Sequence, residues 1–245
     1  MGLCIVLLLS GCKTINRTPK QLHIPEGMVI FSFDDGPNSH EDTTLRLLEV
    51  LRKYEIHAMF ALLGENVAHN PELARQIHDD GHCVINHGYA DTWAVSLNDE
   101  EFAANLLKGE EALVAAIGET LSPKLYRPQG GFYKRRHEKI WREQGYTLVP
   151  GTARVHDAIL DASDQKRVVQ RMVRLIEKRH SGVILLHDAR DSYSRMEEHI
   201  KKDPDGVFNR SWIPDTVEKI IIALQEKGYK MKGIDIDSVY RDWAE

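Results

Sequence analysis

The sequence lacks both a cluster of basic residues and a long apolar run. Its 245 residues carry a formal net charge of −5, and no stretch is enriched in Lys or Arg. Nucleic acid is therefore not expected as a partner, because binding to phosphates needs a basic surface. An apolar run near the N-terminus covers residues 4–9, which is too short to cross a bilayer. The sequence consequently predicts no membrane-spanning helix.

Cysteine is also scarce, and two of the three cysteines lie near the N-terminus. Residues 9–12, Leu-Ser-Gly-Cys, follow the apolar run and resemble a bacterial lipobox. We expect residues 1–11 to be a lipoprotein signal peptide and Cys12 to carry the lipid that anchors the exported protein to a membrane of the cell envelope. No Lys or Arg precedes the run, so an ordinary signal peptide is the alternative. Cys83 then stays alone, and no internal disulfide is expected.

The remaining chain has the length of one domain. Residues 12–27 are polar and contain two prolines, which predicts a tether, and residues 28–245 form the expected domain. In this domain apolar runs alternate with helical periodicity. Strands are predicted at 28–33, 58–63, 83–86, 125–127, 146–149, 183–186 and 229–232, and helices at 41–54, 71–81, 99–117, 134–144, 165–179 and 217–226. About seven β/α units predict an α/β barrel or a doubly wound sheet.

Two adjacent carboxylates end the first predicted strand, in Phe33-Asp34-Asp35-Gly36-Pro37. Neighbouring strand residues point in different directions, so one carboxylate can bind a metal while the other acts as a base. A simple turn is the alternative. The stretch resembles the first motif of the polysaccharide deacetylases, which share the chitooligosaccharide-deacetylase homology domain (carbohydrate esterase family 4). The resemblance implies a distorted (β/α)7 barrel, with Asp34 as catalytic base and Asp35 as metal ligand.

His87 and Asp91 follow the third predicted strand and correspond to the second family motif, a pair of metal-binding histidines four residues apart. Asp91 stands where the second histidine is expected. We expect the two side chains on one face of a helical turn, forming a three-ligand site with Asp35. The resemblance implies zinc, but two carboxylates and one imidazole also suit manganese, cobalt or magnesium. The alternative is a degenerate site in which Asp91 is a surface residue.

Arg127 and Gly130 lie in Tyr126-Arg127-Pro128-Gln129-Gly130-Gly131, which is similar to the third motif. The resemblance implies that Arg127 orients the base and that the backbone N–H of Gly130 binds the oxyanion, a role that needs no side chain. The family has proline where Gln129 stands and an aromatic residue where Gly130 stands. Because of these two departures, the wall of the site that faces the sugar is expected to differ from that of the family.

Leu185 lies in the apolar strand 183–186, and His187 follows at its end, so the two side chains are expected on the same face. Residues 183–188 closely resemble the fifth motif of the family. Leu185 is expected to line a pocket for a methyl group, and His187 is expected to be the general acid. Asp157 is the candidate partner that keeps His187 protonated, although the tryptophan of the fourth motif is missing. The long connection 188–213 is predicted to be either a lid or substrate-binding insertion, or a solvated decoration.

Together these motifs predict a lipid-anchored, metal-dependent enzyme that removes N-acetyl groups from a glycan. The expected substrate is an acetylated envelope polysaccharide such as peptidoglycan, and the expected cofactor is one divalent metal. A carbohydrate O-acetyl esterase would use the same residues. A non-catalytic glycan-binding relative is the second alternative, and the presence of Asp34, Arg127 and His187 argues against it.

Overall fold

Eight strands and eight helices are described. The structure is a computed structural model that describes residues 15–17, 24–150 and 156–232. Its strands are β1 (Ile15–Arg17), β2 (Val29–Asp34), β3 (Met59–Leu62), β4 (Cys83–Asn86), β5 (Leu125–Tyr126), β6 (Phe132–Lys134), β7 (Thr147–Leu148) and β8 (Gly182–His187). Its helices are α1 (Thr43–Lys53), α2 (Gly64–His69), α3 (Pro71–Asp79), α4 (Asp99–Ile117), α5 (Arg135–Glu143), α6 (Gln165–Arg179), α7 (Tyr193–Lys202) and α8 (Ile213–Gln225).

Six strands form one parallel sheet in the order β7-β5-β4-β3-β2-β8. The sheet curls into a half-barrel, and helices cover its outer face. Strand β2 lies near the middle, pairs with β3 on one side and β8 on the other, and is buried along its whole length. Burial on both faces explains why its sequence is a nearly continuous apolar run. The predicted α/β fold, a distorted (β/α)7 barrel in a single domain, is confirmed.

Residue alternation divides the strands between two cores. The outward-facing residues of β2 and β3, such as Phe31, Phe33 and Phe60, pack against the helices. The inward-facing residues, such as Ile30, pack inside the curl with Met59, Ala61, Ile85, Leu125, Val149 and Val183. Because the side-chain period of a strand is two, the residues at positions 32 and 34 of β2 and at 185 and 187 of β8 also face inward. The interior of the curl is thus apolar at its base and polar at the carboxyl ends of the strands.

Some elements differ from the sequence-based expectation. Helices α2 and α7 are additional, and α8 begins at Ile213 rather than at 217. The predicted strand 229–232 is reduced to a single parallel bridge between Met28 and Lys230. Within the expected tether, β1 pairs antiparallel with β6. Helix α2 and strand β1 lack the periodicity that identifies longer elements, because six and three residues do not complete two helical turns or an alternating run.

The expected signal peptide, residues 1–11, and the expected lipidation site, Cys12, lie outside the described residues. Among the helices that are described, none combines the length and the apolar composition that a membrane span requires.

Candidate active site

The predicted catalytic and metal-binding side chains meet at the carboxyl edge of the sheet. Asp34 and His187 are the last residues of β2 and β8 and are direct register partners. His87 and Arg127 follow the paired residues at the ends of β4 and β5. Parallel strands bring their carboxyl ends to one edge, so four motifs that are far apart in sequence converge there.

Asp34 is buried and forms an ion pair with Arg127, whose Nη1 donates to Oδ1 of the carboxylate. The same Nη1 donates to the hydroxyl of Ser32 at 2.7 Å, which fixes the guanidinium inside the curl. Burial favours the neutral acid, but the charges of Arg127 and of two nearby imidazoles outweigh it and lower the pKa of Asp34. Asp34 is therefore ionised at neutral pH and is held in one orientation, as a general base requires.

Asp35 follows Asp34 at the end of β2, and its backbone is left-handed, with a φ of 73°. Its carboxylate lies 3.4 Å from Nε2 of His87. The other ring nitrogen, Nδ1, lies 2.7 Å from the carbonyl oxygen of Arg127, so we assign the proton to Nδ1 as donor. A backbone carbonyl bound to Nδ1 is the usual outer-shell support of a metal-binding histidine, and it leaves Nε2 as the ring nitrogen that faces Asp35. The chemistry of this pair fits a divalent cation.

Asp91 lines the same cavity, but the helical turn expected for residues 87–91 does not form. Gly88 has a φ of 77°, and the segment is a loop whose Asp91 N–H donates to the hydroxyl of Ser192 at 3.1 Å. Burial and the charge of Asp35 raise the pKa of Asp91 to about 7. Across residues 24–150 and 156–232, no three His, Cys, Asp or Glu side chains are close enough together to hold a metal. Asp35 and His87 are thus placed as a pair, with Asp91 nearby.

His187 and Asp157 are brought together by the structure. Nδ1 of His187 lies 3.0 Å from Oδ1 of Asp157, and the backbone N–H of His187 donates to Oδ2 at 2.8 Å. Burial disfavours the imidazolium, but the adjacent carboxylate outweighs burial and raises the pKa of His187 to about 9. The same pairing lowers the pKa of Asp157, against its own burial. His187 is therefore protonated at neutral pH, the state that a general acid needs.

Sequence reasoning missed Arg210, which is fully buried behind this pair. Its Nη2 lies 2.6 Å from Oδ2 of Asp157, and its Nε donates to the carbonyl oxygen of His187 at 3.1 Å. Nη1 donates to the carbonyl oxygens of Asp157 and Leu160, each at 3.0 Å. Arg210 thus holds the carboxylate that holds His187. No local motif marks it, since it lies in the connection 188–213.

The connection 188–213 is not a free lid, and parts of it are buried rather than solvated. It contains α7, and its first residues border the site. Asp188 is buried; its carboxylate accepts from the hydroxyl of Thr44, its carbonyl oxygen accepts from Asn38 at 2.9 Å, and burial raises its pKa to about 7. A Cβ on Gly36 would lie 2.6 Å from Oδ2 of Asp188, so only glycine fits after the two acids. Asp188 therefore packs the first and fifth motifs against each other.

Between the pairs lies a cavity of about 290 Å³. It is lined by residues from every motif and from the connection: Asp34, Asp35, His87, Asp91, Trp93, Pro128, Gly130, Gly131, His156, Asp157, Ala158, Ile159, Leu185, His187 and Arg190. Leu185 lies on the same strand face as His187, as predicted, and is almost fully buried. Gly130 has a φ of 70°, a conformation that an aromatic side chain rarely adopts. The cavity has the size and the mixture of apolar and polar groups of a small-ligand site.

Comparison with known proteins agrees with this geometry. The family described as "Polysaccharide deacetylase" matches residues 23–149. This range contains Asp34, Asp35, His87, Asp91 and Arg127, whereas Asp157 and His187 lie beyond it.

Individual relatives extend the similarity over most of the chain. A peptidoglycan-N-acetylglucosamine deacetylase of Bacillus cereus is 26% identical over 205 residues, which are 84% of this chain and 85% of the relative. A chitooligosaccharide deacetylase of Rhizobium leguminosarum bv. trifolii is 29% identical over 217 residues, covering 84% and 89% of the two chains. The crystal structure of a peptidoglycan N-acetylglucosamine deacetylase superposes with a TM-score of 0.63 at 26% identity and covers 87% of each chain. With more than half of its residues matched by that family, the chain belongs to the polysaccharide deacetylases.

Proposed function

We propose that this protein is a metal-dependent hydrolase that removes N-acetyl groups from an envelope glycan such as peptidoglycan. The observation that carries the proposal is the pairing of opposite charge states at adjacent strand ends. Asp34 is held ionised by Arg127, and His187 is held protonated by Asp157, and both line one cavity. Two titratable groups whose environments drive their pKa values apart are typical of a base and an acid.

The substrate is an acetamide on a sugar. Asp34 accepts a proton from the attacking water as oxygen bonds to the acetyl carbon. The carbon–nitrogen bond then breaks, and His187 donates its proton to the departing nitrogen, which leaves acetate and a free amino sugar. An amide nitrogen needs this proton more than an ester oxygen does, so a protonated His187 favours N-deacetylation over O-deacetylation. Leu185 supplies apolar contact for the acetyl methyl group, and the N–H of Gly130 faces the developing oxyanion.

A divalent cation held by Asp35, His87 and Asp91 would supply Lewis-acid polarisation of the acetyl carbonyl and would lower the pKa of water. The support for this assignment is the donor chemistry: a buried imidazole that lies beside a carboxylate, and a second carboxylate whose pKa is raised by burial and by the charge of the first. The relatives act on acetylated glycans by name, which supports the same substrate class here. Lipidation of Cys12 would place the enzyme on a membrane of the cell envelope, next to such glycans.

The first prediction concerns the base and the acid. Asp34→Asn and His187→Ala should each lower turnover of an acetylated chitooligosaccharide by roughly 10²- to 10⁴-fold, because each removes one proton transfer. Acetate release measures the effect. Asp215→Asn, which changes an exposed residue on α8, and His78→Ala, which changes a partly buried residue on α3 outside the cavity, serve as controls and should keep wild-type turnover. Turnover within tenfold of wild type in both site variants would exclude the mechanism.

The second prediction concerns the pH dependence of the acid. His187 loses its proton as pH rises through its pKa of about 9, so activity should decline above that pH. Asp157→Asn removes the largest stabilising charge, so burial should bring the pKa of His187 down from about 9, with Asp35 and Asp34 as the remaining charges that raise it. The ring-carbon shifts of His187, followed by NMR across pH, measure this directly. Asp161→Asn, which changes an exposed carboxylate nearby, should leave the titration unchanged. An unaltered pKa in Asp157→Asn would contradict the pairing.

The third prediction concerns the metal. Asp91→Ala should lose divalent-metal binding and activity together, whereas Asp91→His should keep three ligands and shift preference toward zinc. Calorimetric titration with zinc, manganese, cobalt and magnesium separates the two cases. If Asp91→Ala binds metal as tightly as wild type, the assignment is wrong. The third ligand would then be sought at His156, which lines the cavity, or at His199, which instead stacks on Phe208 at 4.1 Å.

The fourth prediction concerns the anchor. Expressed with residues 1–11 in a bacterium, the protein should partition into membranes and incorporate labelled fatty acid. Cys12→Ala should abolish the labelling, and Cys83→Ala should retain it, because Cys83 lies on β4 and not in the lipobox-like stretch. Wild-type protein that is soluble and unlabelled would refute lipidation.

A further inference from the structure

Two of the largest apolar side chains left in solvent border the catalytic cavity. In the described part of the chain, four large hydrophobic residues are exposed: Trp93, Leu107, Ile159 and Ile222. Trp93, at 59%, and Ile159, at 65%, are the most exposed of them, and both line the cavity. Exposed apolar side chains are unremarkable when scattered, but two at the mouth of one cavity indicate a binding surface.

Trp93 lies directly on Gly130. A Cβ at position 130 would lie 3.0 Å from Cδ2 and 3.1 Å from Cγ of the indole, so the ring lies against the glycine Cα. A side chain at 130 would push the ring away. The indole therefore has backbone on one side, while more than half of the residue faces solvent.

The chain around Trp93 holds the ring in place. The Trp93 carbonyl oxygen accepts from the backbone N–H of Ser96 at 2.8 Å and from its hydroxyl at 2.7 Å. Ala94 is completely buried next to it. On the other side of the contact, the side chain of Gln129 donates to the carbonyl oxygen of Ala90 at 3.2 Å, which joins the two loops. With its backbone held and the ring packed against Gly130, the indole should lose little conformational entropy when it binds a ligand.

We propose that Trp93 is the glycan platform of this enzyme: its exposed indole stacks on the pyranose ring of a sugar unit at the cavity mouth, with Ile159 as a second apolar contact. This inference rests on the proposed function and adds the residue that binds the sugar chain, as distinct from the acetamide. The ring carbons of a pyranose present an apolar C–H face, which is complementary to an aromatic surface, while its hydroxyls stay in water. A substrate with several sugar units should benefit more than one with a single unit.

The test measures binding without turnover. In an Asp34→Asn background, the tetramer of N-acetylglucosamine is titrated by calorimetry against the parent, Trp93→Ala, Trp93→Phe and Ile222→Ala. Trp93→Ala should weaken binding about tenfold or more, and Trp93→Phe should recover most of the loss because it keeps an aromatic face. Ile222→Ala removes an exposed apolar side chain on α8, away from the cavity, and should bind within twofold of the parent.

Fluorescence gives a second readout. Stacking of a sugar should change the fluorescence emission of Trp93, and Trp93→Phe should remove that change. Trp141 and Trp212 are buried, so a sugar at the cavity mouth does not contact them. Binding by Trp93→Ala within twofold of the parent, in an enzyme whose wild type releases acetate from the tetramer, would overturn this inference alone. If wild type neither binds nor deacetylates the tetramer, the proposed function and this inference both fail.

Discussion

The pairing of buried catalytic groups with opposite charges is the constraint on which the carboxyl edge of the sheet depends. Asp34 faces Arg127, and Asp157 faces both His187 and Arg210, all with little or no exposure of the paired atoms. Removing one partner of a buried pair typically costs about 3–5 kcal/mol, because the other charge is left without compensation. Each pair joins distant segments of the chain. The site and the packing of β2, β5 and β8 around it are consequently specified together.

The pairs Asp34–Arg127 and His187–Asp157 keep the base negatively charged and the acid positively charged. Burial alone favours the neutral forms of Asp34 and His187, which could not act as the base and the acid. Arg127 reverses the effect of burial on Asp34, and Asp157 reverses it on His187. Arg210 has a further role, since it binds the carboxylate of Asp157 from behind and also donates from Nε to the carbonyl oxygen of His187. The acid and the base are therefore each positioned by two layers of contacts, since Arg127 is itself held by the hydroxyl of Ser32.

The sequence predicts the parts of this arrangement that depend on local pattern. The apolar runs of β2 and β8 identify the strand ends, and alternation places Leu185 and His187 on the same face. The contact between His187 and Asp157 follows from residue type and motif order. Arg210 was not predictable in this way, because its role depends on a fold that brings residue 210 beside residue 157. Helix α7 was missed for a similar reason: its charged sequence is stabilised by packing of Met196 and Ile200 rather than by a long apolar face.

At positions 93 and 130, the aromatic side chain that the family motif leads one to expect comes from a different position in the chain. Gly130 stands where the family resemblance expects an aromatic side chain, and from sequence alone this substitution leaves the wall of the cavity incomplete. In the fold, the left-handed backbone at 130 and the missing Cβ make the space that the indole of Trp93 occupies. Gly130 and Trp93 depend on each other, because an aromatic residue at 130 would displace the indole, and the indole occupies the space that the glycine leaves. The cavity thus has an aromatic surface, although position 130 of the motif carries no aromatic side chain. This surface comes from a residue on another loop, so it can be identified only from the tertiary contact between Trp93 and Gly130.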